Sequence, residues 1–475
     1  MKFKSLFLFI ISLYILSSCS VNPVTGDRDF VLVTEDRELE MGRQYHSMIT
    51  QYEEIYRDPS IEDYVQSVGE ALSEKSHRSN IVYRFTVLDN PEVNAFALPG
   101  GYVYINRGLM AYLSSESELA AVLGHEIGHI TARHSVKKVS QAQLLNLLSY
   151  AVARSAGRGA GDLAGLGGGA LLAGYGREME LEADSLGAQY MVDNGYSAKG
   201  MLNTISVLKE HELYSKEIAE RRGLEPQTYH GIFSTHPSND KRLQELIQKA
   251  ESSKDKVLTQ RSSNYLQKID GMIYGDSESQ GIRRKEGYYH KLLDIKIIPP
   301  KDWEIINKSD LLLFLSPKGK ASMELSVKDQ SRKESPNEHL RRLFGQELEQ
   351  QEDLIINGLK ASIAIVNQGY RSYRAACIYK DKRIFTFLGT SDSKISSFDG
   401  QFKSIINSFS ELDSKDLKLA EPLTLQLYEV KKGDTYKSLA QQSPLYSDAE
   451  SRLRLLNGDY PTGNLETGTL IKVVK

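Results

Sequence analysis

His125-Glu126-Ile127-Gly128-His129 is the stretch on which the fold and chemistry turn. Just upstream, Ser115-x-x-Glu118 has the spacing of a capping box, so the segment that follows should be helical. On a helix, residues four apart stand one above the other, which puts both imidazoles on one face. Two neutral ring nitrogens at that separation suit tetrahedral zinc, and the glutamate beside them is placed to act as a general base.

Zinc takes a third protein ligand and keeps one position open. Arg177-Glu178-Met179-Glu180-Leu181-Glu182-Ala183-Asp184 supplies the candidates, because Glu180 and Asp184 are again four apart and share a helical face. Such a pair can provide a ligand and an acceptor for the free N–H of a ligand histidine. Glu178 and Glu182 fall on another face and read as solvated charges. Between the two motifs, residues 154–176 carry nine glycines, too many for a stable helix. That stretch reads as a flexible loop or as a mobile lid beside the site.

The chain around these motifs has 475 residues, enough for about two to four domains. With 40% apolar and 25% charged residues it is neither disordered nor collagen-like. The formal net charge of −3 gives no basic excess, so nucleic acid is not an expected partner. Cys19 and Cys377 allow at most one bridge, which excludes a disulfide scaffold.

At the N-terminus, Lys2 and Lys4 precede an apolar run from Leu6 to Leu16. That run is too short for the roughly 20 residues of a membrane-spanning helix. Leu16-Ser17-Ser18-Cys19 resembles a bacterial lipobox, which implies a signal peptide over residues 1–18 and acylation of Cys19. Ser20 resembles the residue found in lipoproteins sent on to the outer membrane.

Helical spacing covers residues 35–75, broken at Asp58-Pro59, and residues 81–88 read as a strand. A strand-turn-strand unit follows over 93–105, then long helical patterns at 107–153 and 177–194, with further helices near 198–220 and 238–251. A polar boundary at 251–264 leads to strand patterns at 291–298, 311–315, 323–327, 362–366, 375–379 and 383–388. Helical patterns intervene at 336–351 and 398–409, so 265–410 is expected to be an α+β domain with a mainly antiparallel sheet. It carries no motif with an assignable chemistry.

The C-terminal residues 422–475 contain Val430-Lys431-Lys432-Gly433-Asp434-Thr435, Leu456-Asn457-Gly458 and Gly468-Thr469-Leu470-Ile471, which resemble a LysM module. In that resemblance Gly433-Asp434 forms a tight turn, and Tyr436 replaces a more usual aliphatic residue. Glycan binding and a packing role both stay open for it.

His125–His129 followed by Arg177-Glu178-Met179-Glu180-Leu181-Glu182-Ala183-Asp184-Ser185-Leu186-Gly187 resembles the zinc metallopeptidases related to the HtpX heat-shock protease and the CAAX prenyl proteases. The resemblance covers about residues 22–250 and implies a mainly helical, gluzincin-type domain with a small edge-strand sheet, here over 19–254. It makes Glu180 the third ligand of one Zn2+ per chain, with Glu126 activating the zinc-bound water and Asp184 supporting a ligand. Asn22-Pro23-Val24-Thr25-Gly26 resembles the periplasmic lipoprotein branch. Asn94, Ala95 and Phe96 match the family's edge strand, which would pair with an extended substrate main chain. Ser234-Thr235-His236-Pro237 with Arg242 matches a late His-Pro motif.

His236 would stabilise the oxyanion or reach the zinc of a closed enzyme; Arg242 would stabilise developing negative charge or pair with an acidic residue. Gly176 departs from the serine that many relatives carry before the arginine. His134, His211 and His230 match nothing and read as incidental. The whole is an α+β multidomain chain, expected to be an envelope zinc endopeptidase, lipid-anchored and facing the periplasm, that cuts unfolded or partly assembled proteins. Two alternatives stand beside it: a chaperone or assembly factor with a mostly closed zinc site, and a lipoprotein tethered to peptidoglycan.

Overall fold

A computed structural model describes residues 19–26, 28–143, 175–222, 262–308, 311–345, 348–369 and 371–475. The expected leader 1–18, the glycine-rich stretch up to residue 174, the helix expected at 238–251, and His230, His236 and Arg242 lie outside them.

A short antiparallel pair, β1 (Cys19–Val21) and β2 (Arg28–Phe30), leads into helices α1 (Glu35–Tyr52) and α2 (Pro59–Glu74). Asp58 accepts hydrogen bonds from the Ser60 and Ile61 amides, and Pro59 occupies the first turn, where its missing N–H is not needed. Ile61, Val65, Val68 and Leu72 then face the core at helical spacing.

Three strands follow: β3 (Arg84–Leu88), β4 (Ala95–Leu98) and β5 (Tyr102–Asn106). Their order is β3-β5-β4, with β3 parallel and β4 antiparallel to the central β5. Gly100 and Gly101 turn the chain between β4 and β5 at φ 78° and 94°, and a Cβ on Gly101 would collide with the Val82 carbonyl. The outer edge of β4 pairs with no other described strand.

The long helical pattern expected from 107 is divided. Helix α3 (Arg107–Tyr112) ends in extended backbone at Leu113, and α4 (Glu116–Thr131) starts afresh on Ser115. Arg133 then takes a left-handed φ of 56° before helix resumes over 134–143. Helices α5 (Arg177–Asp193) and α6 (Lys199–Arg222) pack against α4, and all 16 of its residues are buried.

Helix α7 (Ser262–Ile269) and strand β6 (Ile273–Tyr274) fold back onto this core. A small antiparallel sheet follows, built from β7 (Ile282–Arg283), β8 (Tyr288–His290) and β9 (Ile295–Ile297). The residues at 291–294 are a turn, with Asp294 at φ 50°, so the strand expected from 291 begins only at Ile295. Next come β10 (Glu304–Asn307), β11 (Leu312–Leu315), β12 (Ala321–Asp329), helix α8 (Pro336–Phe344), β13 (Glu349–Ile356), β14 (Leu359–Gln368), β15 (Arg371–Lys380), β16 (Arg383–Ser391) and helix α9 (Asp399–Ser408).

These seven strands form one antiparallel sheet in the order β10-β11-β12-β16-β15-β14-β13. Helix α8 packs on one face through Leu340, and α9 on the other through Phe402, Ile405 and Ile406. Gly345 at φ 99° stops α8, and the residues from 349, expected to continue that helix, extend into β13 instead.

The C-terminal residues form β17 (Leu423–Glu429), α10 (Tyr436–Gln442), α11 (Ala449–Leu456) and β18 (Leu470–Val474). Gly433, at φ 92°, makes the expected turn before α10. Strand β17 pairs with β18 on one side and with β6 on the other. Leu425, Tyr436, Leu456 and Ile471 therefore belong to the same apolar cluster as Val65, Leu123 and Tyr265. No helix among the described residues is long and apolar enough to cross a membrane.

Candidate metal centre

Helix α4 carries the histidine pair. Ser115 accepts from the Glu118 amide at 3.2 Å, and Glu118 reaches back to the Ser114 amide at 2.6 Å. Glu116 is buried, but Tyr64 and Tyr196 donate to its carboxylate at 2.8 and 3.0 Å. With its first turn satisfied in this way, α4 runs polar side chains through a buried environment.

Its approach to α5 depends on small residues. Gly124 and Gly128 of α4 meet Ala183 and Gly187 of α5 backbone to backbone. The crossing brings the two i, i+4 pairs together. The Nε2 atoms of His125 and His129 are 3.0 Å apart, and Glu180 lies 3.6 Å from the first and 3.4 Å from the second. Zinc–nitrogen bonds of about 2.0–2.1 Å in a tetrahedron separate the donors by roughly 3.4 Å. The three spacings bracket that value, and the donors are two imidazoles and one carboxylate, so the residues fit zinc. Among the described residues no other group of three His, Cys, Asp or Glu side chains converges in this way.

Asp184 Oδ1 lies 2.8 Å from His125 Nδ1, the ring nitrogen that faces away from Glu180. Glu126 is fully buried beside the pair. Strand β4 packs on α4 and carries the other expected site residues. Ala95 points into the core, whereas Phe96 is half-buried and stacks on Tyr104 at 4.8 Å. The Asn94 side-chain oxygen is buried without a hydrogen-bond partner among the described residues. Cys19 lies in β1.

Three neighbours were not evident from the motifs. His134 is fully buried, with its Nδ1 2.8 Å from His129 Nδ1 and its Nε2 3.1 Å from Glu182 Oε2. It is not incidental, and Glu182 is not simply a solvated charge; burial lowers the His134 pKa, while its bond to Glu182 lowers that carboxyl's. Tyr175 stacks on His129 at 3.9 Å and 18°, bonds Ser135 at 2.7 Å and lies beneath the Lys138 ammonium. The signal for His134 was its place five residues after His129, which helical periodicity alone does not turn into a contact. His211 sits edge-on to Tyr112, with burial pushing its pKa down to about 3.

Residues 59–250 match the sequence model of Peptidase family M48. The chain is 29% identical over 272 residues to the beta-barrel assembly-enhancing protease of Yersinia pestis, covering 54% of this chain and 53% of that one. It is 28% identical over 257 residues to the Escherichia coli K12 protein of the same name, covering 51% and 50%. It is also 29% identical over 232 residues to the mitochondrial metalloendopeptidase OMA1 of Schizosaccharomyces pombe, covering 47% and 64%. The chain thus spans about half the length of the bacterial relatives it matches. Among solved structures it resembles cyanobacterial PsbP from Synechocystis at a TM-score of 0.24 and 13% identity, covering 29% of this chain and 98% of that one, too slight a likeness to carry an argument. The donor set and the family match point the same way: over residues 59–250 the chain is similar to Peptidase family M48, and its His125–His129–Glu180 cluster lies within that stretch.

Proposed function

We propose that the protein is a lipid-anchored zinc endopeptidase of a bacterial envelope that hydrolyses peptide bonds in misfolded or stalled envelope proteins. The observation that carries this reading is the convergence of His125, His129 and Glu180 with Glu126 on the same buried helix turn. The bacterial relatives, named for β-barrel assembly, support the envelope setting. Zinc, when bound, supplies a Lewis acid that polarises the scissile carbonyl and acidifies a water molecule. Glu126 takes the proton from that water and passes it to the leaving amine. The unpaired edge of β4, with Asn94 just before it, offers main-chain groups to an extended substrate. Such a mode selects unfolded or partly assembled chains, because a folded one has no free strand to add.

In this reading Cys19 carries the lipid and holds the enzyme at the outer membrane, facing the periplasm. His236 and Arg242 assist at the developing oxyanion, or His236 reaches the metal of a closed enzyme. The C-terminal LysM-like module packs on the protease domain, with peptidoglycan as a further partner. Glu126→Gln should keep one zinc per chain and abolish casein cleavage; cleavage at the wild-type rate by that variant would refute the assignment.

Burial favours a second reading, in which the site is mostly closed and chaperoning outweighs cutting. His125 is 6% exposed and His129 1%, while Glu126 and Glu180 are wholly covered. That reading predicts that Glu126→Gln restores growth under envelope stress to a strain lacking the protein. The peptidase reading predicts that it does not.

A further inference from the structure

The two ligand histidines are held from behind in different ways. His125 Nδ1 meets a carboxylate, that of Asp184, at 2.8 Å. His129 Nδ1 instead meets a second imidazole, His134 Nδ1, also at 2.8 Å. The left-handed turn at Arg133 ends α4, and beyond it the His134 ring comes back against His129, the ring centres 4.9 Å apart. His134 faces the nitrogen of His129 that points away from Glu180, which takes His134 out of the donor set.

A hydrogen bond between two ring nitrogens needs one proton, and the centre dictates where it sits. His129 Nε2 must be bare to bind metal, so Nδ1 carries the proton and donates it. His134 Nδ1 is then the bare acceptor, which leaves the His134 proton on Nε2. That nitrogen lies 3.1 Å from Glu182 Oε2, an acceptor only. One tautomer of each ring satisfies the whole chain, and the terminal carboxylate selects it.

We propose that His134 and Glu182 form a relay that fixes the tautomer and the orientation of the zinc ligand His129, doing through an imidazole what Asp184 does directly for His125. His134 and Glu182 are positioning residues, and the proposal rests on reading the centre as a zinc site. Tyr175 stacks on the His129 ring, which limits the ring's freedom to tip.

The test uses the full-length protein, with zinc affinity read by competition against a chromogenic chelator and apo-protein melting as the control for packing. His134→Phe fills the space but accepts nothing, and should weaken zinc binding by about 10–100-fold. His134→Asn presents an amide oxygen to His129 Nδ1 and should recover most of that loss. Glu182→Gln, at a half-buried position that tolerates the change, should weaken zinc binding in the same direction but less. In 15N spectra the wild-type should show His129 and His134 each protonated on the nitrogen assigned above.

Zinc affinity for His134→Phe within about threefold of wild-type overturns the relay, as does equal weakening by Phe and Asn with unchanged Glu182→Gln. If the wild-type itself takes up no stoichiometric zinc, the peptidase reading and the relay fall together. If the wild-type binds one zinc and the variants match it, only the relay falls.

Discussion

Gly128→Ala isolates the device that brings His125, His129 and Glu180 together from two helices. A Cβ at Gly128 would lie 2.8 Å from the Ala183 carbonyl oxygen and 3.0 Å from its Cα. Both are backbone atoms of α5, so no side chain can rotate away. Ordinary contact begins at 3.4 Å, so the helices must part by about 0.6 Å at this point. Ala183 lies between Glu180 and Asp184, so the displacement acts on the carboxylate proposed as third ligand and on the His125 partner together. A metal site tolerates misplacement of about 0.5 Å, so zinc affinity should fall at least about tenfold.

Stability should fall as well. Overpacking costs about 1–3 kcal/mol, offset by the roughly 0.5–1 kcal/mol that alanine gains over glycine inside a helix. The net loss should be about 1–2 kcal/mol, measured by urea unfolding of the apo protein. Gly400→Ala is the matched control: Gly400 lies in helix α9 with nothing within 4 Å of an added Cβ, and the change should not destabilise. If Gly128→Ala unfolds and binds zinc as the wild-type does, the close crossing does not set the ligand distances. If it is destabilised but keeps wild-type zinc affinity, the positional half of the argument fails.

Two further outcomes follow from buried groups. Burial pushes the Lys472 ammonium down from 10.5 to about 7, against the pull of Glu118. Between those values the unfolded chain holds a proton that the native protein lacks, so this group makes stability rise with pH, by at most about 1.4 kcal/mol per unit. Lys472→Met should flatten the urea-measured slope between pH 7 and 9; an unchanged slope counts against the assignment. Cys377 is fully buried under α8, and burial pushes its thiol up to about 12. In a Cys19→Ser background it should resist a disulfide reagent at pH 8 until the protein is unfolded, and prompt labelling of the native protein would refute this.

Residues that act within one element were legible. Asp58-Pro59, Ser115 with Glu118, and the i, i+4 pairs of α4 and α5 declare themselves because capping and helical period are local rules. The three strands also followed from local pattern, with Pro99-Gly100-Gly101 marking the turn between the last two, but the parallel pairing of β3 with β5 did not. What stayed hidden lies between elements. Nothing local to Glu182 says that it meets His134, because the meeting depends on the crossing of α4 with α5 and on the left-handed Arg133. The α8 pattern overran into β13 for a related reason: period alone gave no stop, whereas Gly345 and the pairing of β13 with β14 do.

The least legible feature is how α4 is gripped at its two ends. At the C-terminal end, Arg78 donates to the Ile130 carbonyl at 3.2 Å and to Glu38 at 2.6 Å, and Arg133 donates to the other Glu38 oxygen at 2.9 Å. Two cations thus meet the negative end of the helix dipole, with a buried carboxylate between them to balance the charge. At the N-terminal end, Lys472 donates to the Leu113 carbonyl at 2.6 Å and to Ser114 Oγ at 3.3 Å, and Ser114 in turn donates its amide to Glu118. That lysine comes from the last strand of the C-terminal module, which shares its apolar cluster with α4. Removing the module would expose this shared core and take away one of the contacts that hold the start of α4. A buried lysine amine at one end, carboxylate-bridged arginines at the other, and the histidine pair between them amount to a single rigid mount. On this argument the packing role of residues 422–475 comes first, and any ligand they bind acts on a part already built into the core around α4.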